Sequence, residues 1–198
     1  MNAEHGRVCP VERAGRLDNI WRKWLQDPYK ILKPHIREGM TALDVGCGPG
    51  FFTIPMAHLV GENGQVVAAD IQAGMLDRLR MKIAGTALEK RITLHRCDVS
   101  SIGFSESVDF VLLFYVVHEV PDKVVFFREI AQLLRRTGHM LIVEPSFHVS
   151  HSDFERTLLS ARAAGLADRR GPKVFLSKTA ILEKGLQENL AVAERLHR

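Results

Sequence analysis

Ala42-Leu43-Asp44-Val45-Gly46-Cys47-Gly48-Pro49-Gly50-Phe51-Phe52 decides how this chain is read. The apolar run from Ala42 to Val45 breaks at three glycines in alternate positions, and apolar residues then resume at helical spacing. That pattern predicts a strand, a tight glycine turn and a helix, the ligand-binding opening of an open α/β sheet. Glycine lacks Cβ, so the turn can take positive φ and let a ligand lie against bare backbone. A helix starting just past Gly50 aims free N–H groups and its positive dipole end at that ligand. The register removes two common cradles. A dinucleotide fingerprint needs glycine at 46, 48 and 51, and position 51 is Phe. A phosphate-binding P-loop needs Gly-Lys-Ser/Thr, and no lysine follows.

Outward from the turn, Gln65-Val66-Val67-Ala68-Ala69-Asp70 is a short apolar strand ending in an acid, twenty positions after Gly50. In an open α/β sheet the end of the second strand lies beside the glycine turn. A carboxylate there can accept hydrogen bonds from both hydroxyls of a ribose. The alternative is an N-cap for the next helix, a place Asp favours. Ile92 to Cys97 is a third strand, followed by Asp98. Asp109 to Phe114 is nearly all apolar, as suits a central strand covered on both faces. His139 to Glu144 is a fifth strand, stopped by Pro145.

Helical stripes fill the gaps. Leu17, Ile20, Trp21, Trp24 and Leu25 form one apolar face, ended by Pro28. Tyr29, Leu32 and Ile36 continue on a second short helix that stops at Gly39. Met56, Leu59 and Val60 bury the helix after the glycine turn, with Pro55 near its first turn. Met75, Leu76, Leu79 and Ile83 make the next stripe. Pro121 opens the helix carrying Val124, Phe127, Ala131 and Leu134, with Arg135 and Arg136 in its last turn and Gly138 at C′. Ser152 with Glu155 forms a capping-box pattern for the helix of Phe154, Leu158 and Ala161. Leu166 to Leu176 reads as an edge strand, because Pro172 inside it cannot donate a ladder hydrogen bond. Thr179 to Glu183 returns as a further strand, and residues 185–198 as a marginal helix or tail.

The acid-x-Gly-x-Gly-x-Gly run at Asp44 to Gly50, with Asp70, Asp98 and this element order, resembles the class I S-adenosylmethionine-dependent methyltransferases over about residues 40–184. The resemblance implies a Rossmann-like doubly wound α/β fold with helices on both faces. Its seven-stranded sheet runs 3-2-1-4-5-7-6, the last strand antiparallel. The cofactor implied is S-adenosyl-L-methionine. Asp44, Gly46, Cys47, Gly48 and Gly50 would cradle it, Asp44 fixing the turn and reaching its amino-acid end. Asp70 would hold the ribose and Ile71 would pack on the adenine. Asp98 would contact the adenine amino group, and the Val99 N–H a ring nitrogen. Phe114 and Tyr115 close the cofactor set. For Asp98 a turn-initiating role before Ser100-Ser101 is the rival reading. His118-Glu119-Val120-Pro121-Asp122 resembles the segment after strand four in small-molecule methyltransferases related to the quinone-biosynthesis enzymes. The Asp/Asn-Pro-Pro-Tyr/Phe motif of enzymes that methylate exocyclic or glutamine amino groups is absent.

The organisation expected is an N-terminal helical cap at 1–39, the methyltransferase domain at 40–184 and a tail at 185–198. Hydrophobic residues make up 46% and charged residues 25%, so the chain reads as a soluble globular domain. Net charge is +4, but the basic residues are interspersed with acids and no long block of like charge occurs. That argues against a nucleic-acid partner. Cys9, Cys47 and Cys97 are far apart without a Cys-x-x-Cys, which points to the cytoplasm and away from disulfides or zinc. No apolar run is long enough to span a membrane, and no leader pattern opens the chain. A small-molecule acceptor is the expected partner, with a homodimer left open. A binding subunit without catalysis, or a methyltransferase acting on protein or RNA, is the competing function.

Candidates for acid–base work lie at the carboxyl ends of the strands. His118 and Glu144 are the catalytic candidates; Glu119 and His148 stand beside them. Histidine's reference pKa of ~6.5 suits base work near neutrality. The alternatives are a backbone-bonded loop histidine and a helix-capping or substrate-binding glutamate. His118, Glu119, His148 and His151 could cluster on adjacent loops to hold a metal, but no acidic metal triad is evident, and no metal is expected. Trp21 and Trp24 either cover a pocket or pack on the sheet edge.

Overall fold

The computed structural model describes residues 26–185. The helix expected at 17–25, with Trp21 and Trp24, and the tail beyond 185 lie outside the described residues, as does Cys9. Seven strands form one sheet in the order β3-β2-β1-β4-β5-β7-β6. They are β1 Thr41–Val45, β2 Gln65–Asp70, β3 Ile92–Arg96, β4 Val108–Phe114, β5 Leu134–Pro145, β6 Leu166–Arg170 and β7 Ser177–Lys184. The first five pair in parallel, whereas β7 pairs antiparallel with both β5 and β6. The expected strand order therefore holds.

Helices cover both faces: α1 Pro28–Leu32, α2 Thr53–Leu59, α3 Ala73–Ile83, α4 Lys123–Leu133 and α5 His151–Ala163. The buried strands alternate between two cores. Leu43, Val111, Leu113, Met140 and Ile142 pack with Phe127 of α4 and Phe154 of α5. Ala42, Phe110, Leu112 and Leu141 pack with Leu32, Met56 and Leu79 of α1, α2 and α3. Period-two alternation feeding two apolar layers is why β1, β4 and β5 read as near-continuous hydrophobic runs.

Several boundaries differ from the expectation. The second short helix stops at Leu32 rather than reaching Gly39, and Asp27 caps it by accepting from Tyr29 N and Lys30 N. The helix after β4 begins at Lys123, two residues past Pro121, because Asp122 is its N-cap and accepts from Val125 N at 3.0 Å. That helix ends at Leu133, so Arg135, Arg136 and Gly138 belong to β5 instead of a helix terminus. Leu134 is buried and pairs with Val108, and Phe110 then pairs with His139, so residues 135–138 bulge outward. Arg135 uses the bulge to reach Asp109, whose carboxylate also accepts from Thr41 N at 2.8 Å. The cap of α5 is Ser150, not Ser152: its Oγ accepts from Asp153 N at 3.1 Å and donates to the Asp153 carboxylate at 2.6 Å. Strand β6 stops at Arg170, leaving Pro172 in the connection; Arg169 crosses to Glu183 at 2.9 Å on this charged edge.

Candidate active site

The glycine turn is held from three sides. Gly46 N and Cys47 N both donate to Ala69 O of β2, at 2.8 and 3.1 Å. Lys82 of α3 donates to Pro49 O at 2.7 Å. Thr53, in the first turn of α2, donates to Asp44 Oδ2 at 2.6 Å, and both side chains are buried. Gly46 and Gly50 take φ of +70° and +90°, where a side chain is strained. A Cβ at Gly50 would also stand 2.5 Å from Leu79 Cδ1, and one at Gly46 would stand 2.9 Å from Val116 Cγ2.

Asp70 completes the cradle. Its Oδ2 accepts from Gly48 N at 2.9 Å and its Oδ1 from Gln72 N at 2.8 Å. The capping alternative for Asp70 is not the geometry found: Gln72 is the N-cap of α3 and makes no side-chain cap bond. Burial raises the Asp70 carboxyl above its ordinary 3.8, against the pull of the N–H groups of Gln72, Gly48 and Ile71. Burial likewise pushes the Cys47 thiol up, with the charges of Asp44 and Asp70 adding to it, so this thiol stays protonated.

The other cofactor candidates are placed unevenly. Ile71 is half-buried against the core of the α4–α5 face. Asp98 makes a two-bond turn with Ser101, N–H to O at 3.0 Å and the reverse at 3.4 Å, and the Val99 side chain is exposed. Phe114 packs on Phe52 and Tyr115, with ring centroids 4.3 and 4.5 Å apart. Tyr115 sits at φ +62°, a conformation that costs a non-glycine residue ~1–2 kcal/mol. Its hydroxyl accepts from Gln26 Nε2 at 2.6 Å and meets Ser177 Oγ at 2.8 Å. Thr53, Lys82, Tyr115's hydroxyl network and Val116 had no signal beyond their nearness to the turn.

The two catalytic candidates meet. Glu144, almost wholly buried at the end of β5, accepts from Val117 N at 2.9 Å and from His118 Nδ1 at 2.5 Å. With Nδ1 as donor, the neutral ring carries its lone pair on Nε2. Burial pulls the His118 pKa down, but the hydrogen bond and charge of Glu144, with the charge of Glu119, outweigh it and hold the pKa above 6.5. Burial raises the Glu119 carboxyl in turn, the charges of His118 and Glu144 then opposing one another. The His148 ring stands edge-on to His118 at 4.9 Å. His151 points elsewhere, exposed beside Glu155 at 4.0 Å. Among the described residues no group of three or more His, Cys, Asp or Glu side chains is arranged to hold a metal ion. His118 and His148 open onto a cavity of about 570 Å³ between the starts of α4 and α5.

A glycine turn after β1, an acid at the end of β2 and a seventh strand slotted antiparallel between β5 and β6 define the class I methyltransferase fold. The chain belongs to the methyltransferase-domain family, whose sequence profile matches residues 36–172. It is 36% identical to a demethylmenaquinone methyltransferase of Lactobacillus johnsonii over 129 residues, 65% of this chain and 51% of that protein. It is 27% identical to a ubiquinone/menaquinone biosynthesis C-methyltransferase of Cellvibrio japonicus over 185 residues, 93% of this chain and 69% of the relative. The chain spans about half the length of the demethylmenaquinone methyltransferases it matches. A SAM-dependent methyltransferase from Aquifex aeolicus superposes with a TM-score of 0.79 at 26% identity, covering 88% of this chain and 98% of that one.

Proposed function

We propose that this protein transfers the methyl group of S-adenosyl-L-methionine to a small-molecule acceptor. The observation that carries the reading is Asp70. Each of its carboxylate oxygens accepts one backbone N–H, from Gly48 and from Gln72, and keeps further acceptor capacity. That leaves two fixed acceptors beside a turn whose three glycines carry no Cβ, the chemistry a ribose diol needs. The residues present therefore fit the cofactor named by the Aquifex relative. Gly46, Cys47, Gly48 and Gly50 would line it, Asp44 with Thr53 would hold the turn at its amino-acid end, and Ile71, Asp98, Val99, Phe114 and Tyr115 would flank its base and methyl-bearing chain.

When bound, this cofactor supplies an electrophilic methyl carbon whose leaving group is a neutral thioether. The chain's own tasks are then orientation, exclusion of water and handling of a proton. His118 takes the proton of the acceptor on Nε2, and Glu144 holds the ring and steadies its charge. Two relatives are named for quinone substrates, which supports a small acceptor over nucleic acid. No helix among the described residues is long and apolar enough to cross a membrane, and the scattered cysteines favour a reducing cytoplasm. Calorimetric titration with S-adenosyl-L-methionine tests the reading: saturable binding is expected, and none at high micromolar cofactor overturns it.

A further inference from the structure

The cavity at His118 has a chemistry of its own. Its volume of about 570 Å³ lies within the range of small-molecule sites. One short segment links it to the glycine turn: Val116 lies against Gly46, and His118, which lines the cavity, follows two residues later. Eight of its eleven lining residues have polar side chains, Pro121, Val124 and Val149 being the others, while apolar atoms still make up about half of its exposed lining.

The formal charges of the lining balance, Asp122 and Asp153 against Lys123 and Arg156, but they are not equally engaged. Asp122 is engaged as the cap of α4, and Asp153 is tied to Ser150 and Arg156. Among the described residues Lys123 donates to Val120 O alone, at a long 3.4 Å, and no carboxylate lies within ion-pair distance of it. Its charge reaches His118, whose pKa it lowers. On the α5 wall, Thr157 Oγ1 donates to Asp153 O at 3.1 Å and Ser160 Oγ to Arg156 O at 3.0 Å. Hydroxyls that donate back into their own helix present lone pairs to the cavity. The cavity thus offers a cation at one wall, acceptors at another and the Glu144-held histidine between.

We infer that this cavity holds the methyl acceptor, and that the acceptor is a small hydroxy- or amino-carboxylate. Its carboxylate pairs with Lys123, and its nucleophilic oxygen or nitrogen gives its proton to Nε2 of His118. The inference rests on the methyl-transfer reading. The acceptor atom's lone pair forms the bond to the methyl carbon as the carbon–sulfur pair returns to sulfur. The acceptor's proton leaves on His118, beside the Glu144 carboxylate, and passes from there to solvent. One lysine matches the single charge of a carboxylate better than a phosphate, which would bring close to two charges at pH 7.

The test uses full-length protein saturated with S-adenosylhomocysteine, with nitrogen-15 in its histidines. Salicylate and anthranilate are titrated in, against their neutral amides, while the imidazole signals of His118 and His148 are followed by NMR. The expected result is that both acids shift both rings and bind about tenfold tighter than the amides, a factor in keeping with one partly desolvated charge pair. Lys123→Met should remove the preference and Lys123→Arg should keep it. The inference fails if acid and amide bind alike, if neither acid moves the His118 and His148 signals, or if Lys123→Met leaves the preference intact. Affinity for S-adenosyl-L-methionine, measured on the same protein, reports separately on the methyl-transfer reading.

Discussion

Asp70 Oδ2 accepts the backbone N–H of Gly48 at 2.9 Å, so the acid that ends β2 is itself a structural part of the glycine turn that follows β1. The same carboxylate takes Gln72 N on its other oxygen, which ties the start of the α3 connection to the turn. One side chain therefore shapes the cradle and faces the ligand. This gives Asp70 two separable roles, and substitutions can tell them apart.

Asp70→Asn keeps the shape and one oxygen but loses the charge. We expect cofactor affinity to fall at least about tenfold, the loss of a charge-assisted contact being ~1.5–3 kcal/mol. Asp70→Ala also orphans the Gly48 N–H, at a further cost of ~1–3 kcal/mol in stability if water does not replace the acceptor. Calorimetry with S-adenosyl-L-methionine and thermal unfolding check both. Because burial raises the Asp70 pKa above 3.8, the folded state binds its proton more readily than the unfolded chain does. Acid then favours the protonated fold while weakening ribose binding, so affinity should decline on acidification while the contribution of Asp70 to stability does not. Equal affinity of wild type and Asp70→Ala would remove the ribose assignment.

Gly50→Ala tests the turn from its other side. The position is at φ +90°, and the new methyl would press on Leu79, which is completely buried. A non-glycine residue in such backbone and an overpacked core neighbour each cost ~1–3 kcal/mol. Denaturant unfolding should show a loss of that order, together with weaker cofactor binding. Restoring room with Gly50→Ala/Leu79→Ala should recover binding only in part, because the backbone cost stays. Full recovery would show that crowding alone matters at this position.

Much of this turn was legible because its signals are local. An apolar run, alternate glycines and an acid ending the next strand lie within thirty residues, and each follows from strand geometry. The strand order rested on resemblance but agrees with the pairing found. What went unread depends on distant partners. Arg135-Arg136-Thr137-Gly138 looks like a helix end, yet Leu134 pairs with Val108 and Arg135 with Asp109, which pull the chain into β5. Lys82 reaches Pro49 O across 33 positions of sequence. The polar cavity exists because α4 and α5 pack side by side, and neither helix alone reveals that Thr157 and Ser160 will face Lys123. His118 and Glu144 were each legible as candidates, but their hydrogen bond was not.

That bond yields a prediction about turnover. In Glu144→Gln the side-chain oxygen can still accept from Val117 N, which turns the new amide N–H toward His118 Nδ1. The ring must then place its proton on Nε2, the wrong tautomer for a base. We expect turnover to fall about 100-fold, within the range for general-base loss, with cofactor affinity unchanged. The wild-type rate should rise with pH through the His118 pKa, above 6.5, and that titration should move to lower pH in the variant, since Glu144 is what raises it against burial. The linked stability has the opposite sense: the stabilisation from protonated His118 is fully present below 6.5 and is lost as pH rises through the folded value. An unchanged rate and pH profile would remove Glu144 as a positioning residue.

A second histidine pair lies where His139 of β5 pairs with Phe110 of β4, and it should set part of the acid stability. His35 is buried, stacks on Phe110 with ring centroids 5.5 Å apart, and shares one hydrogen bond with His139, Nδ1 to Nε2 at 2.9 Å. Only one proton fits between those nitrogens, and His35 Nε2 is buried with no partner among the described residues. Burial, then the charge of His139 and that of Arg169, lower the His35 pKa from 6.5 to about 4. Between those values the unfolded chain binds the proton and the folded one does not, so stability should fall as pH drops from 6.5 to about 4. His35→Phe keeps a ring on Phe110, removes the orphaned nitrogen and leaves half-buried His139 to find water. At pH 8 it should be neutral or stabilising, since leaving a buried polar atom unpaired costs ~1–3 kcal/mol. Between pH 4 and 6.5 it should flatten the decline seen by thermal unfolding. If the slope with pH matches wild type, the acid sensitivity arises elsewhere, with His139 the next group to replace, because burial lowers its pKa too.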